Sequence, residues 1–438
     1  MHRRDLLKAL PAAAAATALA AAPAMAQAPS LTGVRIKITD VKIVRLRVLK
    51  NLGPFPGFMG PQDIQQVIVG GGSIIEIHTD QGLVGIGPGI DPVQLPRLRG
   101  QLIGQDPFNV QFLVDNMRDA TGMGASRIEA AKNAALIREG DVSMPLASAL
   151  GRGGDTSADR GYAAAEIAMW DIIGKACNQP LYRMWGPTKE VVYPYASQSR
   201  LGTPKTRAEF AAKCEAEGWK AIKFRCHFQT MKEDIALVEE TRKLVSDSFA
   251  IMCDANQATN GPFTPTVTWD FQRAVETARA YQSMHVAYLE EPLRRFDFDH
   301  LAELNRLVEM PIAGGEGNRG LHEFRWLLER GCFDIVQPEI LLDGPMTLRK
   351  VAVLAEAMDK QIMPHLGDGT VGTICNMHII ASIPSPTYLE ITHDLPLRDY
   401  SQPFVIFEEP PILQKGGYFN MPQKPGLGVT IKKDMILS

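Results

Sequence analysis

The sequence predicts a (β/α) barrel preceded by a smaller α+β unit, and two observations predict it. Seven ionisable residues, Lys223, Asp254, Glu290, Glu316, Glu339, His365 and Glu390, recur down the second half of the chain at intervals of 31, 36, 26, 23, 26 and 25 residues. Each ends or follows a short apolar run, as Ala250-Ile251-Met252 precedes Asp254 and Gln361-Ile362-Met363 precedes His365. An interval of that size holds one strand, one helix and two loops. Each group therefore falls at the C-terminal end of a strand, the face on which such barrels keep their active sites. The second observation is that the chain ahead of this series carries mixed strand and helix patterns at a different spacing. Three of the recurring groups are carboxylates on consecutive strands, which suits a hard divalent cation.

The elements follow in order. Arg3-Arg4 stands before an Ala-rich apolar stretch that closes on Ala24-Met25-Ala26, a small-residue cleavage pattern. Residues 1–26 are therefore expected to be a twin-arginine export signal and the mature protein periplasmic. The apolar stretch is short for a membrane span, and no membrane association is expected after cleavage. Cleavage after Ala26 removes three positive charges and one negative, taking the formal net charge from −3 to −5. That acidic balance offers no basic patch and argues against nucleic acid. The six cysteines show no CxxC and no paired spacing, so buried free thiols are expected.

From Ile36 to about Arg47 apolar residues alternate as in a strand. Pro54 to Pro61 reads as a Gly/Pro-rich loop. Gln66 to His78 and Leu83 to Gly87 read as two strands joined at Asp80-Gln81-Gly82. Pro92 to Gly104 and Val110 to Met117 read as helices, and Gly151 to Asp155 breaks the pattern. Ala163 to Gly174 returns a helical period. Val191 to Ala196 and Lys220 to Arg225 are the first two barrel strands. After Glu390 the chain turns Pro- and Gly-rich, a closing segment expected to pack back on the N-terminal unit.

Several segments carry a family resemblance. Ala165-Glu166-Ile167-Ala168-Met169-Trp170-Asp171 with Pro180-Leu181-Tyr182 resembles the lead-in to the barrel in the enolase superfamily. Asp254-Ala255-Asn256-Gln257, Glu290-Glu291-Pro292 and Gly315-Glu316 resemble its three metal-ligand segments, and Pro364-His365 and Pro425-Gly426-Leu427-Gly428 are also similar to it. The subgroup most resembled is that of mandelate racemase, muconate lactonizing enzyme and the acid-sugar dehydratases, over about residues 36–438. The resemblance implies an N-terminal α+β capping domain (31–160), a modified TIM barrel of (β/α)7β form (161–395) and a closing segment (396–438). It also implies one Mg2+ per chain, abstraction of the proton alpha to the carboxylate of a small-molecule substrate, and assembly as a dimer or octamer.

Carried over residue by residue, Asp254, Glu290 and Glu316 are the expected metal ligands. Glu290 is preferred to Glu291 because alternation points it inward with Tyr288. Lys223 and Arg225 sit two apart and both point inward. Arg225 stands where the family often has a basic lysine. A guanidinium stays protonated, so Arg225 is expected to hold a substrate carboxylate, and Lys223 to stabilise the charge that builds on it. His365 is the expected base. The acid that orients it is usually an aspartate, whereas this chain has Glu339, with Asp343 as the fallback. Glu390 is expected to hydrogen-bond the enediolate side or the leaving hydroxyl, and Asn256, two beyond Asp254, to stand against the substrate. The Gly57-Phe58-Met59-Gly60 loop is expected to close the mouth. One good base and no good second favours dehydration of an acid sugar to a 2-keto-3-deoxy acid. A racemase or epimerase is the alternative within the class, and a non-catalytic carboxylate-binding barrel the alternative outside it.

Overall fold

The structure, a computed structural model, describes residues 35–57, 64–120, 157–226, 228–258, 267–385 and 387–437. The export signal, Phe58-Met59-Gly60 and the Gly151–Asp155 break lie outside the described residues. From Ile36 onward the chain forms one compact unit.

Five strands open it: β1 (Ile38–Arg45), β2 (Val48–Pro56), β3 (Ile64–Gly70), β4 (Ser73–Thr79) and β5 (Val84–Pro88). β1, β4 and β5 form an antiparallel sheet, and β2 and β3 form a separate hairpin. Two expectations change here. The stretch from Pro54 is partly strand, with Pro54 opposite Gln66 and Pro56 opposite Ile64. In a two-stranded ribbon each strand has a free edge, so a missing N–H is tolerated. The run from Gln66 to His78 is two strands, broken by Gly70, Gly71 and Gly72 at φ of 71°, 77° and 76°, a conformation that glycine adopts without strain.

The helix Ser157–Ala176 packs its small face on this sheet, with Ala164, Ala165 and Ala168 buried beside Ile75 and Ile77. The approach is close. A Cβ at Gly85 would lie 2.0 Å from the Ala168 carbonyl oxygen, and one at Gly87 2.2 Å from that of Ala164.

The barrel sheet follows. β6 (Val191–Val192) pairs antiparallel with the late strand β15 (Phe419–Asn420). The expected first barrel strand is thus divided, and its second part, β7 (Pro194–Ser197), begins the barrel. Then come β8 (Ala221–Arg225), β9 (Ala250–Asp254), β10 (Tyr288–Glu290), β11 (Ile312–Gly314), β12 (Ile335–Val336), β13 (Gln361–Ile362) and β14 (Leu389–Thr392). The order is β13-β12-β11-β10-β9-β8-β7-β14, and each neighbouring pair is parallel. A curled eight-stranded α/β barrel sheet results, with no ladder between β13 and β14 among the described residues.

Local sequence fixes the crossovers. Thr203, Thr230 and Asp270 cap the helices after β7, β8 and β9, Thr230 through a reciprocal box with Glu233. Inside the barrel, Tyr195, Ala221, Met252, Tyr288, Ala313, Ile335 and Met363 pack into one layer. This layer is the floor on which the strand-end charges stand.

The closing segment reaches the first strand, where Leu46 bridges Ile436, and the Leu427 N–H donates to buried Asp171 at 2.8 Å. All six cysteines are free, with only Cys177 exposed. Among the described residues no helix is long and apolar enough to cross a membrane.

Candidate active site

Strand register sets the first row of the site. Arg225 lies opposite Asp254, and Asp254 opposite Glu290, so three charged residues end three adjacent strands side by side. Lys223, two residues earlier on β8, is fully buried below them. Its Nζ donates to Glu290 Oε2 at 2.8 Å and lies 3.0 Å from Glu390 Oε1 and 3.8 Å from Asp254 Oδ2. Burial alone would lower the lysine pKa, but Glu290 and Glu390 outweigh it and hold the ammonium well above its ordinary value. Arg225 donates to Asp254 Oδ2 and, at 3.4 Å, to Ser197 Oγ.

The other half comes from β11 to β14. His365 lies three residues past β13, and Glu339 caps the helix Ile340–Glu356 after β12. The His365 Nδ1–H donates to Glu339 Oε2 at 2.6 Å, while Nε2 lies 3.1 Å from Glu316 and 3.9 Å from Glu390. The extra methylene of Glu339 is used. One carboxylate caps its own helix through the Leu341 N–H at 2.8 Å and reaches the imidazole with its second oxygen. This fixes the tautomer and turns Nε2 toward the carboxylates. Burial would lower the His365 pKa, but Glu316 and Glu390 hold it well above the ordinary value. Glu316 and Glu390 are in turn held below the ordinary range: burial opposes this, but His365 for Glu316 and Lys223 for Glu390 outweigh it. The fallback partner Asp343 is elsewhere. It is fully buried and accepts from the Gly320 N–H at 2.7 Å.

The structure therefore gathers Lys223, Arg225, Asp254, Glu290, Glu316, Glu339, His365 and Glu390 at one end of the sheet. Asn256 joins them by turning back, at φ 50°, so that its N–H and Nδ2 both donate to Asp254 at 2.8 and 3.0 Å.

Sequence reasoning missed four members. Ser197 donates to Glu390 Oε1 at 2.8 Å, and alternation from inward Tyr195 would have found it. Gln337 donates to Glu290 Oε2 at 2.9 Å. Glu291 and Arg295 carry no periodic signal. Alternation would turn Glu291 away from the site. The strand ends at Glu290, however, and Glu291 takes a φ of 44°, where burial first and then the charge of Glu316 push its carboxyl up.

The donor set suits a hard cation. Glu290 Oε1, both Glu291 oxygens, Glu390 Oε2, Asn256 Oδ1 and Gln337 Oε1 are buried and accept no hydrogen bond. Such groups in a native fold call for a ligand. Six carboxylates (Asp254, Glu290, Glu291, Glu316, Glu339, Glu390) face four cations (Lys223, Arg225, Arg295 and protonated His365). Burial, together with neighbouring acids, pushes Asp254, Glu290 and Glu291 up, the response of acids short of positive charge. Among the described residues no three His, Cys, Asp or Glu form a ready metal cage. The inner oxygens of Asp254, Glu290 and Glu316 are instead engaged by Arg225, Lys223 and His365.

The family description "Enolase C-terminal domain-like" matches residues 205–435. The chain belongs to the enolase superfamily. It is 28% identical over 370 residues to the arabinonate dehydratase of Saccharolobus solfataricus, covering 82% of this chain and 87% of that protein. It is 24% identical over 425 residues to the N-succinyl-L-Arg/Lys racemase of Bacillus cereus, covering 92% and 97%. The mandelate racemase/muconate lactonizing protein of Paracoccus denitrificans, solved with magnesium, shares the fold at a TM-score of 0.67 and 21% identity over 92% of this chain and 97% of that one. Superfamily members generally use Mg2+. The chain is thus a superfamily enzyme related to both acid-sugar dehydratases and racemases.

Proposed function

We propose that this protein is a Mg2+-dependent dehydratase of an acid sugar, an aldonate or aldarate, yielding a 2-keto-3-deoxy acid. The observation that carries the reading is the His365–Glu339 pair, aimed at the carboxylate cluster, in a site whose other nitrogen groups are bound up as cations. Lys223 is enclosed by three carboxylates, and Arg225 is tied to Asp254.

Asp254, Glu290 and Glu316 would hold Mg2+, which when bound supplies positive charge opposite the substrate carboxylate. His365, its Nδ1–H held by Glu339 at 2.6 Å, would act as the base in its neutral form. Nε2 then takes the proton alpha to the carboxylate. Glu339 steadies the imidazolium that results, and Lys223 offsets charge building on the substrate. The hydroxyl on the 3-carbon leaves as water, taking the same proton back from Nε2. The enol product tautomerises to the keto acid. The kinship to an arabinonate dehydratase supports this reading.

The address and the assembly belong to the same proposal. Arg3-Arg4 and Ala24-Met25-Ala26 support twin-arginine export to the periplasm, and the family resemblance supports a homo-oligomer, dimer or octamer.

The test is a panel of aldonates and aldarates assayed for 2-keto acid, with substrate incubated in D2O. One sugar acid should be dehydrated, and deuterium should enter the alpha position of one C2 epimer only. Rapid exchange of both epimers without dehydration would favour the racemase, and neither turnover nor exchange would favour a binding protein.

A further inference from the structure

We infer that Glu291 is a fourth carboxylate of the cation site, held toward it by Arg295. The inference rests on the reading that the site takes a divalent cation.

Glu291 is 1% exposed, and neither carboxylate oxygen accepts a hydrogen bond. Its charged partner is Arg295, four residues on, whose Nη2 lies 3.7 Å from Oε1. That is too long for a hydrogen bond, so the pair balances charge without satisfying the oxygens. A buried carboxylate left in that state is costly. The backbone adds to the cost, because a non-glycine residue rarely adopts φ 44°. Chain continuity does not demand this turn, since the residue before a proline, here Pro292, favours extended backbone. Strain of this kind persists where the surroundings hold it for a purpose.

The surroundings here are built. Arg295 is 6% exposed and lies flat against Gly317, where a Cβ would come 2.1 Å from the guanidinium carbon. Only glycine at 317 leaves that room, directly beside the expected ligand Glu316. Glu291 itself follows the expected ligand Glu290 directly, so the pair stands beside two of the expected ligands. A buried carboxylate unsatisfied on both oxygens, beside two expected ligands, is complemented by a multivalent cation with its water shell.

The experiment measures metal binding without substrate and without turnover. The mature protein is stripped of metal and titrated with Mn2+, with free ion read by electron paramagnetic resonance. Wild-type protein should bind one ion, and Glu290→Gln should lose it. Glu291→Gln should weaken Mn2+ by about 10- to 100-fold, the range for partners surrounding a metal site, with the metal-free melting temperature no lower than that of the wild type. Gly317→Ala, which displaces Arg295, should weaken it less.

Equal Mn2+ affinity in wild type and Glu291→Gln, with loss in Glu290→Gln, would overturn the inference and leave the cation reading standing. Failure of the wild type to bind Mn2+ would overturn both. If Glu291→Gln does not fold, Glu291→Asp withdraws the carboxylate by one methylene and should itself weaken the ion. Unchanged affinity in that variant would also overturn the inference.

Discussion

Two groups of buried acids among the described residues differ in what offsets their burial. At the barrel mouth Glu316 and Glu390 stay ionised in spite of burial, because His365 and Lys223 face them. At the junction between the N-terminal sheet and the barrel, burial pushes Glu166 up to about 8 and Asp343 up to about 7. There Glu166 caps a kink in the helix Ile340–Glu356, accepting from the Met346 N–H at 2.6 Å, and sits against Gly344, which has no Cβ and a φ of 70°. Arg118, 3.6 Å from Asp343 and donating at 2.8 Å to Thr347, and Arg319 both act on Asp343, but burial outweighs them. A carboxyl that only has to cap backbone can keep its proton. At the mouth cations are buried with the acids, and they hold Glu316 and Glu390 down while Asp254 and Glu290 are still pushed up. The opposing cations, rather than the acids themselves, set the candidate site apart.

The largest effect expected from this contrast is at His365. His365→Asn should reduce dehydration by about 10⁴-fold or more and stop alpha-proton exchange in D2O, while substrate still binds by calorimetry. Exchange that persists would assign the proton to another group. Glu339→Gln comes next, at about 10²–10⁴-fold in kcat. Asp343→Asn, in the other cluster, should leave kcat near wild type, and the reverse ranking would restore Asp343 as the imidazole's partner.

Arg225→Lys should act mainly on binding, raising KM by about tenfold through loss of the planar fork. A fall in kcat alone would place Arg225 in the proton transfer. The smallest effect is on stability, at Glu166. Its folded pKa of about 8 lies above the 4.5 of an ordinary glutamate. Its contribution is therefore full below pH ~4.5 and is lost as pH rises through ~8. Glu166→Gln should gain on the wild type between pH 5 and 8 by on the order of a few kcal/mol, read by denaturant unfolding at both values. A constant difference would mean that Glu166 is ionised in the fold.

Much of this was legible in the chain because it obeys a period. Lys223 and Arg225 share a strand and both enter the site, as alternation requires. The strand-end series found every barrel strand from β8 to β14. What escaped was irregular. Gly70-Gly71-Gly72 divides a run whose apolar pattern reads as continuous, and Pro54 and Pro56 pair in a ribbon that composition reads as loop. Glu339 was found, but its service to both the Leu341 N–H and His365 follows from a helix start that the sequence only hints at.

By itself, then, the sequence determined the strand-and-helix rhythm, the end of the sheet at which the charges collect, and the types of charge available there. Hydrophobic period and turn residues are local properties, and the sequence carries them directly. Tertiary structure decided which charge meets which. Glu390 meets Ser197 across the closing strands, 193 residues apart in sequence, and Glu290 meets Lys223 at 67. It also decided that Glu291 turns toward its neighbours. Alternation holds only while the backbone is extended, and at the last residue of a strand the direction of a side chain passes to the packing around it.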